Sequence, residues 1–232
     1  MAARDVLKLS ETFSSLQGEG RSTGVPAFFV RLALCNLRCD FCDTRYTWDF
    51  TRFDYAREVR TVPVETVANA IAAAPERRVI VTGGEPLLQR AALEAMLERV
   101  PEDVVVEVET NGTLEPGETL ARRVAQWNVS PKLACAGDPE HKRIRRAALL
   151  ALRDTGRADL KLVVRNRDDV AEALALATAL EWPRDRVWLM PEAASRAEHE
   201  LRAPDVAAAC TQHGVRFSPR LHVLLWGGER GR

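Results

Sequence analysis

Three cysteines that lie within eight positions are the strongest chemical signal in this sequence. Cys35, Cys39 and Cys42 have the spacing C-x3-C-x2-C. Thiolates are soft ligands that suit zinc and iron–sulfur clusters, and three in one short loop can surround a single compact centre. A structural zinc ion takes four ligands, usually from two separated pairs, whereas a cubane held by three thiolates keeps one iron open. The count of three therefore favours a [4Fe–4S] cluster.

The other candidate ligands do not form a second pair. Cys135 and Cys210 are isolated in the sequence, and His141 stands alone. A zinc knuckle that takes Cys135 or a histidine as its fourth ligand is the competing interpretation. Single cysteines are more often small buried residues than ligands, so we expect Cys135 and Cys210 to lie away from the centre.

Composition excludes several other classes of protein. The 232 residues include 33 Lys and Arg and 33 Asp and Glu, and this balance gives no basis for binding nucleic acid or another polyanion. The Arg-rich stretch 143–146 is interpreted as a solvated helix face. No apolar run is long enough for a membrane span, and the N-terminus lacks a signal-peptide pattern. We therefore expect the protein in a reducing cytosol, where thiols stay free.

The elements that must position the cysteines follow a repeating pattern. Short β-branched runs, typical of buried strands, alternate with Ala-rich amphipathic segments, which predict helices. Six such units imply parallel βαβ repeats, and a complete eight-unit barrel typically needs about 250 residues. The predicted fold class is α/β, an incomplete (open) TIM-type barrel of about six βα units, and a doubly wound open sheet is the alternative. The predicted strands are 28–34, 79–82, 104–109, 127–129, 160–164 and 187–190.

We expect one domain with an added segment at each end. Residues 1–27 are predicted to be an N-terminal substrate-binding extension with a hairpin over 6–17. Residues 28–193 form the partial barrel, and 194–232 form a C-terminal helix and closing segment. The sequence leaves open whether the tail 228–232 covers the substrate.

Polar or turn residues follow several predicted strands. The cysteine loop follows the first strand, and Gly-Gly-Glu-Pro at 83–86 closes the second. Paired glycines let the backbone approach a ligand closely. The segments 109–112, 130–132 and 190–192 follow later strands. Because the carboxyl ends of parallel strands meet at one face, these segments predict a shared ligand pocket.

The cysteine spacing, with Phe41 before the last cysteine, resembles the radical S-adenosylmethionine (SAM) superfamily, and so does the Gly-Gly-Glu-Pro segment. The resemblance implies that SAM chelates the open iron through its amino and carboxylate groups. It also implies that Glu85 and nearby carbonyls accept hydrogen bonds from the SAM ammonium group. The SAM-binding residues that it implies are Phe41, Cys42, Asp43, Gly84, Glu85, Ser130, Pro131, Lys132, Met190, Pro191, Glu192 and Ala193.

Within that superfamily, the stretch 10–20 and the Cys-Asp-Thr at 42–44 resemble the 7-carboxy-7-deazaguanine synthase family, as does the segment 221–227. The family converts 6-carboxy-5,6,7,8-tetrahydropterin to 7-carboxy-7-deazaguanine and ammonia in queuosine and 7-deazapurine biosynthesis. The resemblance implies that Thr44 ligates Mg²⁺ and that Arg31 meets the substrate carboxylate, which suits a planar fork of donors. Its implied substrate-binding residues are Leu16, Gln17, Gly18, Arg31, Thr82 and His222.

The reaction that the resemblance implies needs no catalytic side chain. Reduced flavodoxin or ferredoxin supplies an electron, SAM is cleaved, and the 5′-deoxyadenosyl radical takes hydrogen from C6 of the pterin before ring contraction. A homodimer is also implied. By contrast, Glu19, in a Gly-rich loop, is expected to be solvated.

Two other functions remain as alternatives. A glycyl-radical-enzyme activase has a similar length and the same cysteine spacing, but acts on the backbone of a partner protein. A non-catalytic metal-binding module, either a zinc scaffold or an electron carrier, is the alternative from another class.

Overall fold

The computed structural model describes residues 3–232, so residues 1 and 2 of the predicted N-terminal extension lie outside the described residues. Within that range a single nine-stranded sheet forms the centre of the molecule. Its strands are β1 (Val6–Leu16), β2 (Pro26–Leu32), β3 (Arg60–Pro63), β4 (Arg78–Gly83), β5 (Val105–Thr110), β6 (Gln126–Val129), β7 (Ala158–Val164), β8 (Val187–Pro191) and β9 (Arg216–Phe217).

Helices follow most of the strands in chain order. They are α1 (Tyr55–Glu58), α2 (Val64–Ala73), α3 (Arg90–Leu97), α4 (Glu118–Arg123), α5 (Glu140–Arg143), α6 (Arg146–Arg153), α7 (Arg167–Ala179), α8 (Arg196–His213) and α9 (Leu221–Trp226). Local sequence sets several of their ends. Ser195 and Glu198 form a capping box at the start of α8, and Asn166 caps α7.

The sheet order is β3-β1-β2-β4-β5-β6-β7-β8-β9. In this order, every neighbouring pair from β2 onward is parallel. The edge strands β3 and β9 do not pair with each other, so the sheet stays open. This arrangement confirms the predicted open barrel, and all six predicted βα strands are present.

The N-terminal hairpin differs from its prediction. Residues 6–16 form one continuous strand, β1, which pairs antiparallel with β2 on one side and with β3 on the other. The hairpin partner of β1 is therefore the first barrel strand, and its loop is 17–25. The alternating pattern of β1 is consistent with either partner, because pairing between strands depends on contacts distant in sequence.

The two faces of the barrel sheet differ in character. Val106 and Val108 pack into the large apolar core beneath the helices, whereas the alternate residue Glu107 is buried on the other face. Asn128 on the neighbouring strand β6 donates to Glu107 at 3.1 Å. The interior of the barrel is therefore a polar, hydrogen-bonded layer, and the cavity described below lies at its carboxyl end.

The prediction that the arginine-rich stretch 143–146 is a solvated helix face is wrong at Arg143. Arg143 is only 6% exposed, and it donates to Glu172 at 2.9 Å and to the carbonyl of Lys132 at 2.9 Å. It belongs to α5, and extended backbone at Ile144 separates that helix from α6. Its neighbours Arg145 and Arg146 are exposed, as expected.

No helix within residues 3–232 is both long and apolar enough to cross a bilayer.

Candidate active site

A cavity of about 460 Å³ opens where the parallel strands end. Four barrel strands present polar side chains to it: Arg31 on β2, Thr82 on β4, Glu109 on β5 and Lys161 on β7. Arg31 and Thr82 are register partners, and the Thr82 hydroxyl donates to Glu109 at 2.7 Å. These side chains form one wall of the cavity. The cysteine loop provides another.

The loop that follows β2 brings Cys35, Cys39 and Cys42 to the cavity. Cys39 is buried and the other two are half-buried. All three pack in a small apolar cluster with Leu37 and Ala136. Burial raises the pKa of Cys35 to about 12 and that of Cys39 to about 11, so metal binding must remove their protons.

The thiols of Cys35, Cys39 and Cys42 face the same cavity. Three thiolates are the donor set of a cubane that keeps one iron open, because each thiolate binds a different iron. Cys135 contacts Asp169, and Cys210 donates to the carbonyl of Arg216 at 3.3 Å. Neither supplies the fourth ligand that a zinc knuckle requires.

The paired glycines at the end of β4 lie against the cysteine loop. Gly84 N–H donates to the carbonyl of Leu32 at 3.0 Å, and Glu85 N–H donates to that of Leu34 at 2.8 Å. A Cβ on Gly84 would overlap the Leu34 carbonyl. Glycine is therefore required for the second strand end to support the loop.

An ionic cluster, which we define as Glu19, Lys161, Arg220 and Asp43, occupies another part of the cavity wall. Lys161 and Arg220 are buried, Glu19 is half-buried and Asp43 is exposed. Lys161 is paired with Glu19 and lies 3.7 Å from Glu109. Arg220 donates to Glu19 at 3.2 Å and also pairs with Asp43. Burial alone would raise the pKa of Glu19, but the charges of Lys161 and Arg220 lower it well below its usual range. Glu19 is therefore an ionised, half-buried group.

Comparisons with known proteins decide the family. The sequence profile of the radical SAM superfamily matches residues 31–192. A 7-carboxy-7-deazaguanine synthase from Pyrobaculum aerophilum is 41% identical over 233 residues, covering 100% of both chains. Another, from Hyperthermus butylicus, is 37% identical and covers 97% of this chain and 94% of its own. The chain belongs to the 7-carboxy-7-deazaguanine synthase family of radical SAM enzymes.

A solved structure agrees with this membership. The crystal structure of QueE from Escherichia coli matches with a TM-score of 0.68 and 26% identity, over 94% of this chain and 95% of that one. The cofactors of this radical SAM enzyme are a [4Fe–4S] cluster and SAM. The donor set fits both, because three cavity-facing thiols leave one iron of a cubane open to SAM.

The structure places most of the predicted SAM-binding residues of this radical SAM enzyme around the cavity. Those that line it are Phe41, Cys42, Asp43, Gly84, Ser130, Lys132, Met190 and Glu192. Pro131, Pro191 and Ala193 are buried and do not line it. The carbonyl of Ala193 accepts from Arg220, which ties this turn to the ionic cluster.

Glu85 has another environment from the one expected. Its carboxylate is 0% exposed and lies outside the cavity wall. It accepts from Leu87 N–H at 2.9 Å, from the Thr110 hydroxyl at 2.8 Å and from Asn111 N–H at 2.7 Å. Burial raises the pKa of Glu85 despite these donors. The side chain thus ties the end of β4 to the end of β5.

All six predicted substrate-binding residues of this family member line the same cavity: Leu16, Gln17, Gly18, Arg31, Thr82 and His222. Gln17 donates to Glu109 at 3.2 Å. The Gly18 carbonyl accepts from Leu221 N–H at 2.9 Å, and a Cβ on Gly18 would overlap the His222 ring. The close approach of Gly18 therefore lets the start of α9 dock on the end of β1.

Sequence reasoning missed several residues of the cavity. Glu19 was expected to be solvated, yet its side chain is only 14% exposed. Lys161, Arg220 and Trp48 were not selected, although each lines the cavity. The available signal was weak: Lys161 is the one charged residue of the predicted strand 160–164, and a lysine is rarely buried without a partner. The tail 228–232, whose relation to the substrate the sequence left open, also lines the cavity, as does Gly227 before it.

Proposed function

We propose that this radical SAM enzyme converts 6-carboxy-5,6,7,8-tetrahydropterin to 7-carboxy-7-deazaguanine with loss of ammonia, as a step of 7-deazapurine biosynthesis. One observation carries the proposal. The three cysteines and all six predicted substrate-binding residues line a single cavity. A radical formed beside the cysteine loop would therefore arise in the same cavity as a pterin held by those residues.

When bound, the cluster and SAM would supply the radical chemistry. The protein's own residues bind and orient. Cys35, Cys39 and Cys42 hold the cluster. The proposed SAM contacts are those that line the cavity, with Lys132, whose Nζ donates to Ser130 at 3.2 Å, facing the cofactor side.

Arg31 is the proposed partner of the substrate carboxylate. Glu11 occupies its Nε at 2.8 Å, and among the described residues its two terminal nitrogens have no hydrogen-bond partner. A planar fork with free terminal donors suits a carboxylate. Arg31→Gln should raise the KM for the carboxypterin at least tenfold, since a charge-assisted pair contributes about 1.5–3 kcal/mol. The exposed Arg52→Gln is a matched control, and an unchanged KM for Arg31→Gln would contradict this role.

Thr44 is the proposed protein ligand of Mg²⁺. Its hydroxyl lines the cavity and lies 3.7 Å from the Cys42 sulfur. One hydroxyl is a poor site for Mg²⁺, which keeps several waters and relies on ligand oxygens. We therefore expect the ion to bind with the substrate carboxylate. Thr44→Ala should weaken the Mg²⁺ dependence of product formation and leave SAM cleavage without pterin intact, whereas Thr51→Ala on the exposed loop should change neither.

The proposed partners are a reduced flavodoxin or ferredoxin as electron donor and a second copy of this chain in a homodimer. Nucleic acid and membranes are not proposed partners. Free thiols at all five cysteines are consistent with work in a reducing cytosol.

The test is anaerobic reconstitution with iron and sulfide, followed by mass spectrometry of the products from the carboxypterin, SAM and dithionite. The expected products are 7-carboxy-7-deazaguanine, 5′-deoxyadenosine and methionine. SAM cleavage that is unaffected by the carboxypterin, with no pterin consumed, would overturn the proposal. That result would favour the alternative function of a glycyl-radical-enzyme activase.

A further inference from the structure

Glu11 lies between two arginines that come from opposite ends of the chain. Its Oε1 accepts from Arg31 Nε at 2.8 Å and from the Tyr46 hydroxyl at 2.8 Å. Its Oε2 accepts from Arg230 Nε at 3.0 Å. Glu11 is therefore shared between the proposed substrate-binding arginine and the C-terminal tail.

Arg230 fastens that tail at several points. One terminal nitrogen donates to Glu58 at 2.8 Å, and the guanidinium carbon lies 3.9 Å from the centroid of the Tyr46 ring. Isolated exposed ion pairs contribute little to stability, but here two carboxylates and an aromatic face hold one arginine. The tail is thus attached to β1, to α1 and to the loop that follows the cysteines.

The path of the tail gives these contacts a consequence for the cavity. It leaves α9, which follows the edge strand β9, and reaches β1, the second strand from the opposite edge. Residues 227–232 all line the cavity on the way. The tail therefore spans the opening that the unclosed barrel leaves between its first and last strands.

The charges predict how tail and substrate affect each other. Burial alone would raise the pKa of Glu11, but the Tyr46 hydrogen bond and the charges of Arg31 and Arg230 lower it overall, so it is ionised at neutral pH. Without Arg230, Glu11 would neutralise Arg31 alone and weaken its attraction for an anion. With Arg230 docked, the Glu11 charge is shared, and more of the positive charge of Arg31 is left for a ligand.

We propose that Glu11 and Arg230 are positioning residues that couple docking of the C-terminal tail to binding of an anionic substrate carboxylate at Arg31. The coupling rests on the proposed function, because it needs a carboxylate at Arg31. Coupling between two sites is reciprocal, so substrate tightens the tail by the same factor by which the docked tail tightens substrate.

The test compares Arg230→Gln with Arg57→Gln, a matched change on α1 whose side chain is 85% exposed. Hydrogen exchange of the tail is measured in the reconstituted enzyme with SAM, with and without the carboxypterin. In the unmodified enzyme and in Arg57→Gln, the carboxypterin should slow exchange over 227–232. Arg230→Gln should abolish that slowing and raise the KM about fivefold, at the low end of typical coupling, with unchanged cluster absorbance and SAM affinity.

Two further readouts separate a positioning role from a structural one. Arg230→Lys should raise the KM less than Arg230→Gln does, because lysine keeps the positive charge but lacks the planar set of donors. Arg230→Gln should raise the KM by a smaller factor in the Glu11→Gln variant than in the unmodified enzyme, because both substitutions remove the same contact.

The failures are distinguishable. If the enzyme turns over the carboxypterin and Arg230→Gln matches Arg57→Gln in both exchange and KM, the coupling is overturned and the proposed function stands. If no carboxypterin is consumed, the proposed function fails, and the coupling to substrate fails with it. Faster tail exchange in Arg230→Gln with SAM alone would then still support docking of the tail by Arg230.

Discussion

The indole N–H of Trp48 donates to the sulfur of Cys42 at 3.2 Å. Trp48 follows the short helical turn Arg45–Thr47, which folds the chain back beside the cysteine loop. Hydrogen bonds to cluster sulfurs stabilise negative charge and favour the reduced cluster. Trp48 therefore lies where it can adjust the potential at which the cluster accepts an electron.

Replacing Trp48 by Phe keeps an aromatic ring and removes the N–H donor. We expect a more negative midpoint potential for the cluster, measured by an anaerobic redox titration followed by electron paramagnetic resonance. Trp182→Phe is a suitable control, because its indole N–H is buried and has no hydrogen-bond partner among residues 3–232. Trp182 is also far from any cysteine in sequence. Equal midpoint potentials in the unmodified enzyme and Trp48→Phe would contradict this role.

Cys39→Ala should abolish the visible absorbance of the reconstituted cluster and all SAM cleavage, because two thiolates cannot hold a three-ligand cubane. Cys135→Ala should keep both, since its sulfur contacts Asp169 instead of the cavity. Iron and sulfide analysis alongside the spectra provides the measurement. A Cys39→Ala protein that retained four irons and cleaved SAM would refute the ligand assignment.

Glu85→Gln tests whether Glu85 joins two strand ends or binds SAM. Both oxygens of the Glu85 carboxylate accept hydrogen bonds, so the N–H₂ group of a glutamine must face one of those donors. The loss in free energy of unfolding is about 1–3 kcal/mol, or roughly 2–12 °C in Tm. We expect that loss in thermal unfolding, beside little change in SAM affinity by equilibrium dialysis. Glu65→Gln, exposed on α2, is the control. A lower SAM affinity with an unchanged Tm would instead support the ammonium contact predicted from sequence.

Lys161→Met should destabilise the protein by about 3 kcal/mol, because it leaves Glu19 buried with only part of its compensation. Adding Glu19→Gln should recover part of that loss. The measurement is chemical denaturation of each variant at neutral pH. If the two single variants proved additive in the double variant, the pair would not be coupled.

The same pair predicts a pH window. The pKa of Glu19 is lowered from 4.5, so its contribution is complete above that pH and is lost as the pH falls through the folded value. The pKa of Lys161 is raised from 10.5, so its contribution is complete below that pH and is lost as the pH rises further. The stability difference between unmodified protein and Lys161→Met should therefore be constant from about pH 5 to about pH 10 and shrink in acid.

Patterns local in sequence were sufficient for much of this protein. The C-x3-C-x2-C loop, the glycine pair and the six β-branched runs each depend on neighbouring residues, so spacing and periodicity could reveal them. The helices predicted between those strands then indicated that the strands run parallel. Arg31, Thr82 and Gln17 were expected at the substrate from the family resemblance alone, and all three line the cavity.

Contacts between distant segments decided the rest. Three features depend on partners that are separated by many residues. They are the pairing of β1 with β2, the pairing of Glu19 with Lys161, and the contact of the tail with Glu11. A charged residue has the same appearance in sequence whether it is solvated or paired, because burial is a property of the assembled barrel. The sequence alone determined the cysteine centre and the strands that carry it, whereas the tertiary structure decided which charges surround the cavity and that the tail spans its opening.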